Sequence, residues 1–193
     1  MNRRTAVATL LGLGCSGCAG MAKVLPPAPQ EPSSGVFFTA GVPYVPTRPE
    51  VMDAMLALAR IEPSDMVYDL GCGDGRIVLA AVSRHGASGL GVDLDGELIA
   101  SAQAQAQWQG LTDRARFSTQ DLFELDLSPA TVLMLYLSVE INQKLRPRML
   151  EQLRPGSRII SNRFDMGDAW VPERTIEVVG TPVHLWSVPG RTG

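Results

Sequence analysis

The 193-residue sequence predicts a doubly wound α/β domain: a mostly parallel seven-stranded sheet closed by an antiparallel C-terminal hairpin. Three observations predict it. Apolar runs of strand length alternate with helix-like segments from Met66 to Ser161. The first run breaks into a loop with glycine at 71, 73 and 75. Two strand-like segments then end the chain, separated by Gly180-Thr181-Pro182.

Composition sets the outer limits. One domain is the expectation at this length, with enough chain to bury a core. The 45% hydrophobic and 19% charged fractions are those of an ordinary globular protein. A formal net charge of −3 argues against a nucleic-acid partner held by a basic surface. Of three cysteines, Cys15 and Cys18 lie near the N-terminus and Cys72 in the glycine loop. That leaves no internal disulfide pair and no zinc set. With His85 and His184 the only histidines, no metal site is expected.

Residues 1–20 read as a leader. Asn2-Arg3-Arg4 precede a short apolar run, and small residues follow, as in a signal peptide. The run is too short to span a bilayer. Arg3-Arg4 fits a twin-arginine signal. Cys15 and Cys18 follow small residues and resemble bacterial lipoprotein cleavage sites, although Gly12 and Cys15 stand where such sites usually have Leu. Residues 21–38 form a proline-rich linker, stiff and short of hydrogen-bond donors. The folded domain is expected over 39–190.

The domain opens with Val42-Pro43-Tyr44-Val45-Pro46-Thr47, rigid through its two prolines. A helix is expected over 49–61, with Thr47 or Arg48 as its cap and Met52, Met55, Leu56 and Leu58 on its apolar face. The first strand, from Met66, ends near Asp69, and Asp74 stands where it could cap the helix over 75–85. A second strand over 88–93 ends in Asp93, about 20 residues past the loop, the usual place for an acid that grips ribose hydroxyls. Asp95 is the expected N-cap of a helix over 96–109, with Trp108 as a core residue. A third strand spans 114–120, followed by Asp121 and Leu122. On sequence alone Asp121 suits a solvated loop almost as well as a ligand's amino group, with Leu122 beside it. The fourth strand spans 131–137, near-continuously apolar, as a strand covered on both faces should be. Residues 138–153 are expected to be helical in two pieces, with Pro147 opening the second. The fifth strand, over 157–161, leads to the hairpin of 175–179 and 183–188.

The loop itself narrows the chemistry. A dinucleotide fingerprint needs a third glycine where Arg76 stands, and no Gly-Lys-Ser/Thr follows to make a P-loop. Asp69, Gly71, Gly73 and Gly75 instead match the (D/E)-x-G-x-G-x-G form of motif I. They resemble that of the class I, seven-strand S-adenosylmethionine (SAM) methyltransferases with their Rossmann-like fold. The likeness extends over about residues 40–188. Val42-Pro43-Tyr44-Val45-Pro46-Thr47, Gly91-Val92-Asp93, Leu135-Tyr136-Leu137 with Asn142, the segment Leu153 to Ser161, and Phe164 and Trp170 are similar to the small archaeal and mitochondrial protein-lysine methyltransferases.

That resemblance implies roles. Asp69, Gly71 and Gly73 shape the pocket for the methionine end of SAM, Asp93 holds the ribose, Asp121 with Leu122 the adenine, and Leu94 is a further cofactor-binding residue. Thr47 and Tyr44 close the pocket from the N-terminal side. Tyr136 orients the incoming amine, so Tyr136 and Tyr44 are the expected catalytic residues. A monomeric enzyme acting on protein lysine is implied. An envelope small-molecule methyltransferase and an exported, non-catalytic SAM-binding module are the alternatives. The leader points to the periplasm or a lipid anchor in the membrane, whereas the supply of SAM points to the cytoplasm.

Overall fold

The computed structural model describes residues 37–39 and 42–190. The leader at 1–20 and most of the linker at 21–38 lie outside the described residues. Among the described residues, no helix is long and apolar enough to cross a membrane.

A seven-stranded sheet has the order β5-β4-β3-β6-β7-β9-β8. Its strands are β3 (Met66–Leu70), β4 (Ser88–Asp93), β5 (Ala115–Thr119), β6 (Val132–Leu135), β7 (Arg158–Asn162), β8 (Arg174–Val178) and β9 (Thr181–Ser187). The first five pair in parallel; β9 runs antiparallel to both β7 and β8. The chain winds outward from β3 through β4 to β5, then returns to place β6 on the other side of β3. The order therefore reverses between β3 and β6, and doubly wound sheets bind ligands at the carboxyl ends of such strands.

Two-residue alternation sends the strands' side chains to two cores. Val67, Val132, Met134 and Ile160 pack with Met55 and Leu56 of α1 (Pro49–Ala59) and with Ile77 and Ala81 of α2 (Arg76–His85). Leu70, Leu133, Leu135 and Ile159 pack on the opposite face with Leu145 and Met149 of α4 (Val139–Gln152). The helix α3 (Gly96–Trp108) joins α2 over β5 through Ile99, Ala102 and Phe117. Asp95 caps α3, accepting from the backbone N–H of Glu97 and Leu98 at 2.8 and 3.3 Å.

Several expectations change. Residues 138–153 form one continuous helix, with Pro147 exposed inside it. Buried Asn142, Leu145 and Met149 hold both halves to the sheet, so packing overrides the lost backbone bond. Trp108 is only half-buried and lies outside the three cores, because α3 turns Ala102 and Ala106 inward instead. The helix over 49–61 stops at Ala59, where Arg60 takes a left-handed conformation at φ 50°. Neither Thr47 nor Arg48 caps it by a side-chain bond. The C-terminal hairpin turns at Val179 and Gly180, both at positive φ, one residue earlier than Gly180-Thr181-Pro182. A short antiparallel pair, β1 (Phe37–Thr39) and β2 (Val42–Tyr44), stands at the start of the domain, where only a proline-stiffened segment was expected.

Candidate functional site

The glycine loop is built by its backbone. Gly71, Gly73 and Gly75 have φ of 79°, 54° and 77°, a region that side chains with a Cβ rarely adopt. The amides of Gly71 and Cys72 both donate to the Val92 carbonyl at 2.9 Å, which fastens the loop to the end of β4. At Gly73 an added Cβ would lie 2.2 Å from the Tyr44 ring. Only glycine lets that ring settle on the loop.

Asp93 ends β4 with both carboxylate oxygens already in use. Oδ2 accepts from the Gly73 amide at 2.8 Å and Oδ1 from the Asp95 amide at 3.0 Å. Each oxygen has a second lone pair, so the group holds the loop and still offers acceptors outward. Asp121 accepts from the Phe123 amide at 2.8 Å through Oδ1, leaving Oδ2 without a partner among the described residues.

These residues open onto one cavity of about 270 Å³ at the carboxyl ends of the central strands. It brings together Tyr44, Thr47, Asp69, Gly71, Asp93, Leu94, Asp121, Leu122 and Tyr136. Gly73, beneath the Tyr44 ring, is the one expected site residue that does not line it. Leu94 and Phe123 on the wall are 61% and 37% exposed, a cost in water that a flat apolar ligand would relieve. Tyr136 stacks on Phe164 at 6.2 Å between centroids, and the Arg163 guanidinium lies 5.9 Å over the far ring.

The electrostatics favour a cation. Asp69, Asp74, Asp93, Asp95 and Asp121 line the cavity, and Arg76 is the one positive side chain among the lining residues. Asp69 is 3% exposed. Burial, with the charges of Asp93 and Asp74 beside it, pushes its carboxyl up to about 8 from an ordinary 3.8. The Tyr44 hydroxyl is buried close to Asp74, yet makes no hydrogen bond of good geometry. Burial and the nearby Asp74 charge hold that phenol well above its usual range, against the pull of Arg76. An orphaned hydroxyl, an open carboxylate oxygen, an apolar slot and a crowded acid cluster fit a sulfonium nucleoside with an amino-acid tail.

Sequence reasoning missed Arg76 and Asn162. Asp74 reaches past the Gly75 cap position of α2: its Oδ1 accepts from the Arg76 amide at 3.2 Å and from Arg76 Nε at 2.9 Å. The signal was present, because a cation in a helix's first turn opposes the dipole and needs a carboxylate beside it. Asn162, at the end of β7, donates from Nδ2 to Thr47 Oγ1 at 3.3 Å. Nothing local in the sequence marks that contact.

Fold and crevice define a SAM-dependent methyltransferase, and comparisons with known proteins agree. The ANTKMT methyltransferase domain family matches residues 69–174, and the chain belongs to it. A protein-lysine N-methyltransferase of Saccharolobus islandicus is 39% identical over 138 residues, 71% of this chain and 85% of that one. An adenine nucleotide translocase lysine N-methyltransferase of Mus musculus is 32% identical over 72% of this chain, which spans 58% of its length. Among solved structures, an RNA methyltransferase from Salinibacter ruber, in complex with S-adenosyl-L-homocysteine, is 46% identical with a TM-score of 0.74. The match covers 77% of this chain and 97% of that one.

Proposed function

We propose that the domain transfers a methyl group from SAM to the side-chain amine of a protein lysine. One observation carries the choice of acceptor: the cavity lining holds five acidic side chains, with Asp69 pushed toward its neutral form by burial, and one guanidinium. That surface attracts an ammonium side chain and repels a phosphate backbone. The names of the archaeal and mouse relatives support the same acceptor.

Bound SAM supplies an electrophilic methyl on its sulfonium sulfur, and the protein's task is alignment and deprotonation. Asp93, already braced against Gly73, takes the ribose hydroxyls, and Leu94 packs beside them. Asp121 Oδ2 accepts from the adenine amino group, with Leu122 against the ring. Asp69 and the glycine loop face the charged methionine end, and Tyr44 and Thr47 close over it. Tyr136, held by Phe164, orients the acceptor nitrogen. A lysine near its ordinary pKa of about 10.4 must first shed a proton to solvent water. The apolar wall of Val45, Leu137 and Ile141 favours the neutral amine by desolvation, while the carboxylates favour the ammonium. Burial of the incoming chain must therefore win before transfer.

The domain works as a monomer on this reading, and residues 1–20 act as its leader toward a membrane. The mass and N-terminus of the mature protein test the leader. A second reading, methylation of RNA, rests on the Salinibacter ruber structure's description. Incubation with methyl-labelled SAM, protein extract and RNA separates the two. Label on lysine Nε, read by mass spectrometry, is the expected result. Label on RNA alone would replace the acceptor, and cofactor binding without any label would leave a non-catalytic module.

A further inference from the structure

The residues from Tyr44 to Arg48 form a strap across the mouth of the glycine loop, tied down at four places. The Tyr44 ring sits on Gly73. Thr47 Oγ1 accepts from Asn162 at 3.3 Å. Arg48 Nη2 donates to the Val179 carbonyl at 3.2 Å and to Thr181 Oγ1 at 2.9 Å. Arg76 Nη1 donates to the Thr47 carbonyl at 3.3 Å.

The last tie differs from the others because its donor is also paired within the acid cluster. Arg76 Nε donates to Asp74 Oδ1 and Oδ2 at 2.9 and 3.1 Å, and its Nη2 also donates to Oδ2. The Asp74 side chain is 8% exposed and the Arg76 side chain 24%. The geometry points to Arg76 as a positioning residue that clamps the strap over the cofactor crevice. It does so from a guanidinium fixed by Asp74, and this rests on the SAM reading above. The planar fork is what the position requires: one edge takes a carboxylate while another nitrogen reaches a carbonyl across the cavity. A lysine ammonium can satisfy Asp74 but has no second, rigidly placed donor for Thr47.

Arg76 serves a second purpose at the same atoms. Asp74, Asp69 and Asp93 crowd the loop, and the cation offsets the charge nearest Tyr44. Removing its side chain cuts one of the strap's four ties and leaves Asp74 without its counter-ion beside a buried phenol. The roof would then loosen at Thr47 without any change in the residues proposed to touch the ribose or adenine.

Two readouts on the full chain test this. Hydrogen exchange of the ligand-free protein follows the amides of Tyr44, Val45, Thr47 and Arg48. Calorimetry follows S-adenosylhomocysteine. The expected result for Arg76→Ala is exchange at least tenfold faster in the strap, with β3 and β6 unchanged, and roughly tenfold weaker nucleoside binding. Arg76→Lys, which keeps the charge and spares the fold, should restore the stability but only part of the exchange protection and affinity. KM for SAM should rise while KM for the acceptor holds. Strap exchange within twofold of wild type in both variants would overturn the clamp, even if affinity falls. If the wild-type chain binds no nucleoside, the SAM reading fails, and the exchange comparison still decides the clamp by itself.

Discussion

Asp69 carries a pH dependence that can be read without any ligand. Its folded-state pKa, about 8, lies above the unfolded 3.8, so the native state binds more protons between those values. Stability contributed by the neutral acid is full below about pH 4 and is lost as pH rises through 8. Chemical denaturation of the ligand-free protein should show a decline on the order of 2 to 5 kcal/mol over that window. Asp69→Asn should flatten the profile; an unchanged slope would place the titrating group elsewhere. Asp93 makes a different prediction, because it bonds the Gly73 amide and is expected to bond the ribose. Asp93→Ala should weaken nucleoside binding by about 1–3 kcal/mol in calorimetry. The carboxylate's place at the end of β4 was legible in the sequence, because a strand end and a fixed spacing are local features. Its bond to Gly73 was not, since the loop and strand end lie 20 residues apart.

At the scale of elements, α4 shows how tertiary packing overrides a local signal. Pro147 cannot donate to the carbonyl one turn back, and its ring crowds that turn. The helix nonetheless runs from Val139 to Gln152, started by Ser138, whose Oγ accepts from the Ile141 amide at 3.4 Å. Pro147 is exposed, so removing it leaves no cavity. Pro147→Ala should stabilise the protein by about 1–3 kcal/mol, read from the denaturation midpoint. The strands from 66 to 161 were legible because apolar runs and flanking turns mark them residue by residue. The strap's ties to Arg76, Asn162 and Thr181 were not, since each joins residues far apart along the chain.

The whole molecule divides its labour between the two edges of the sheet. The candidate crevice occupies the carboxyl edge. Near the amino edge, Arg158 pairs with Asp65 and donates to the carbonyls of Ala59 and Arg60 at 2.6 and 2.9 Å. Thr131 Oγ1 donates to the same carboxylate at 2.7 Å. That network joins α1, β3, β6 and β7 far from the crevice. Arg158→Ala should cost about 2–3 kcal/mol, discounted for the exposure of the guanidinium, while leaving nucleoside affinity unchanged. Loss of affinity with stability intact would contradict the division. The fold class was legible in full, since alternation of strands and helices fixes it. The acid-rich lining was legible only in part: Asp69, Asp93 and Asp121 were expected there, whereas Asp95 was read only as a cap.

The most direct measurement is a crystal structure of the protein with S-adenosylhomocysteine. The account predicts the nucleoside across the carboxyl ends of β3, β4 and β6. Its ribose hydroxyls should lie within hydrogen-bonding distance of Asp93, and its adenine against Leu122. A ribose placed away from Asp93, or a cavity left empty at saturating nucleoside, would contradict it.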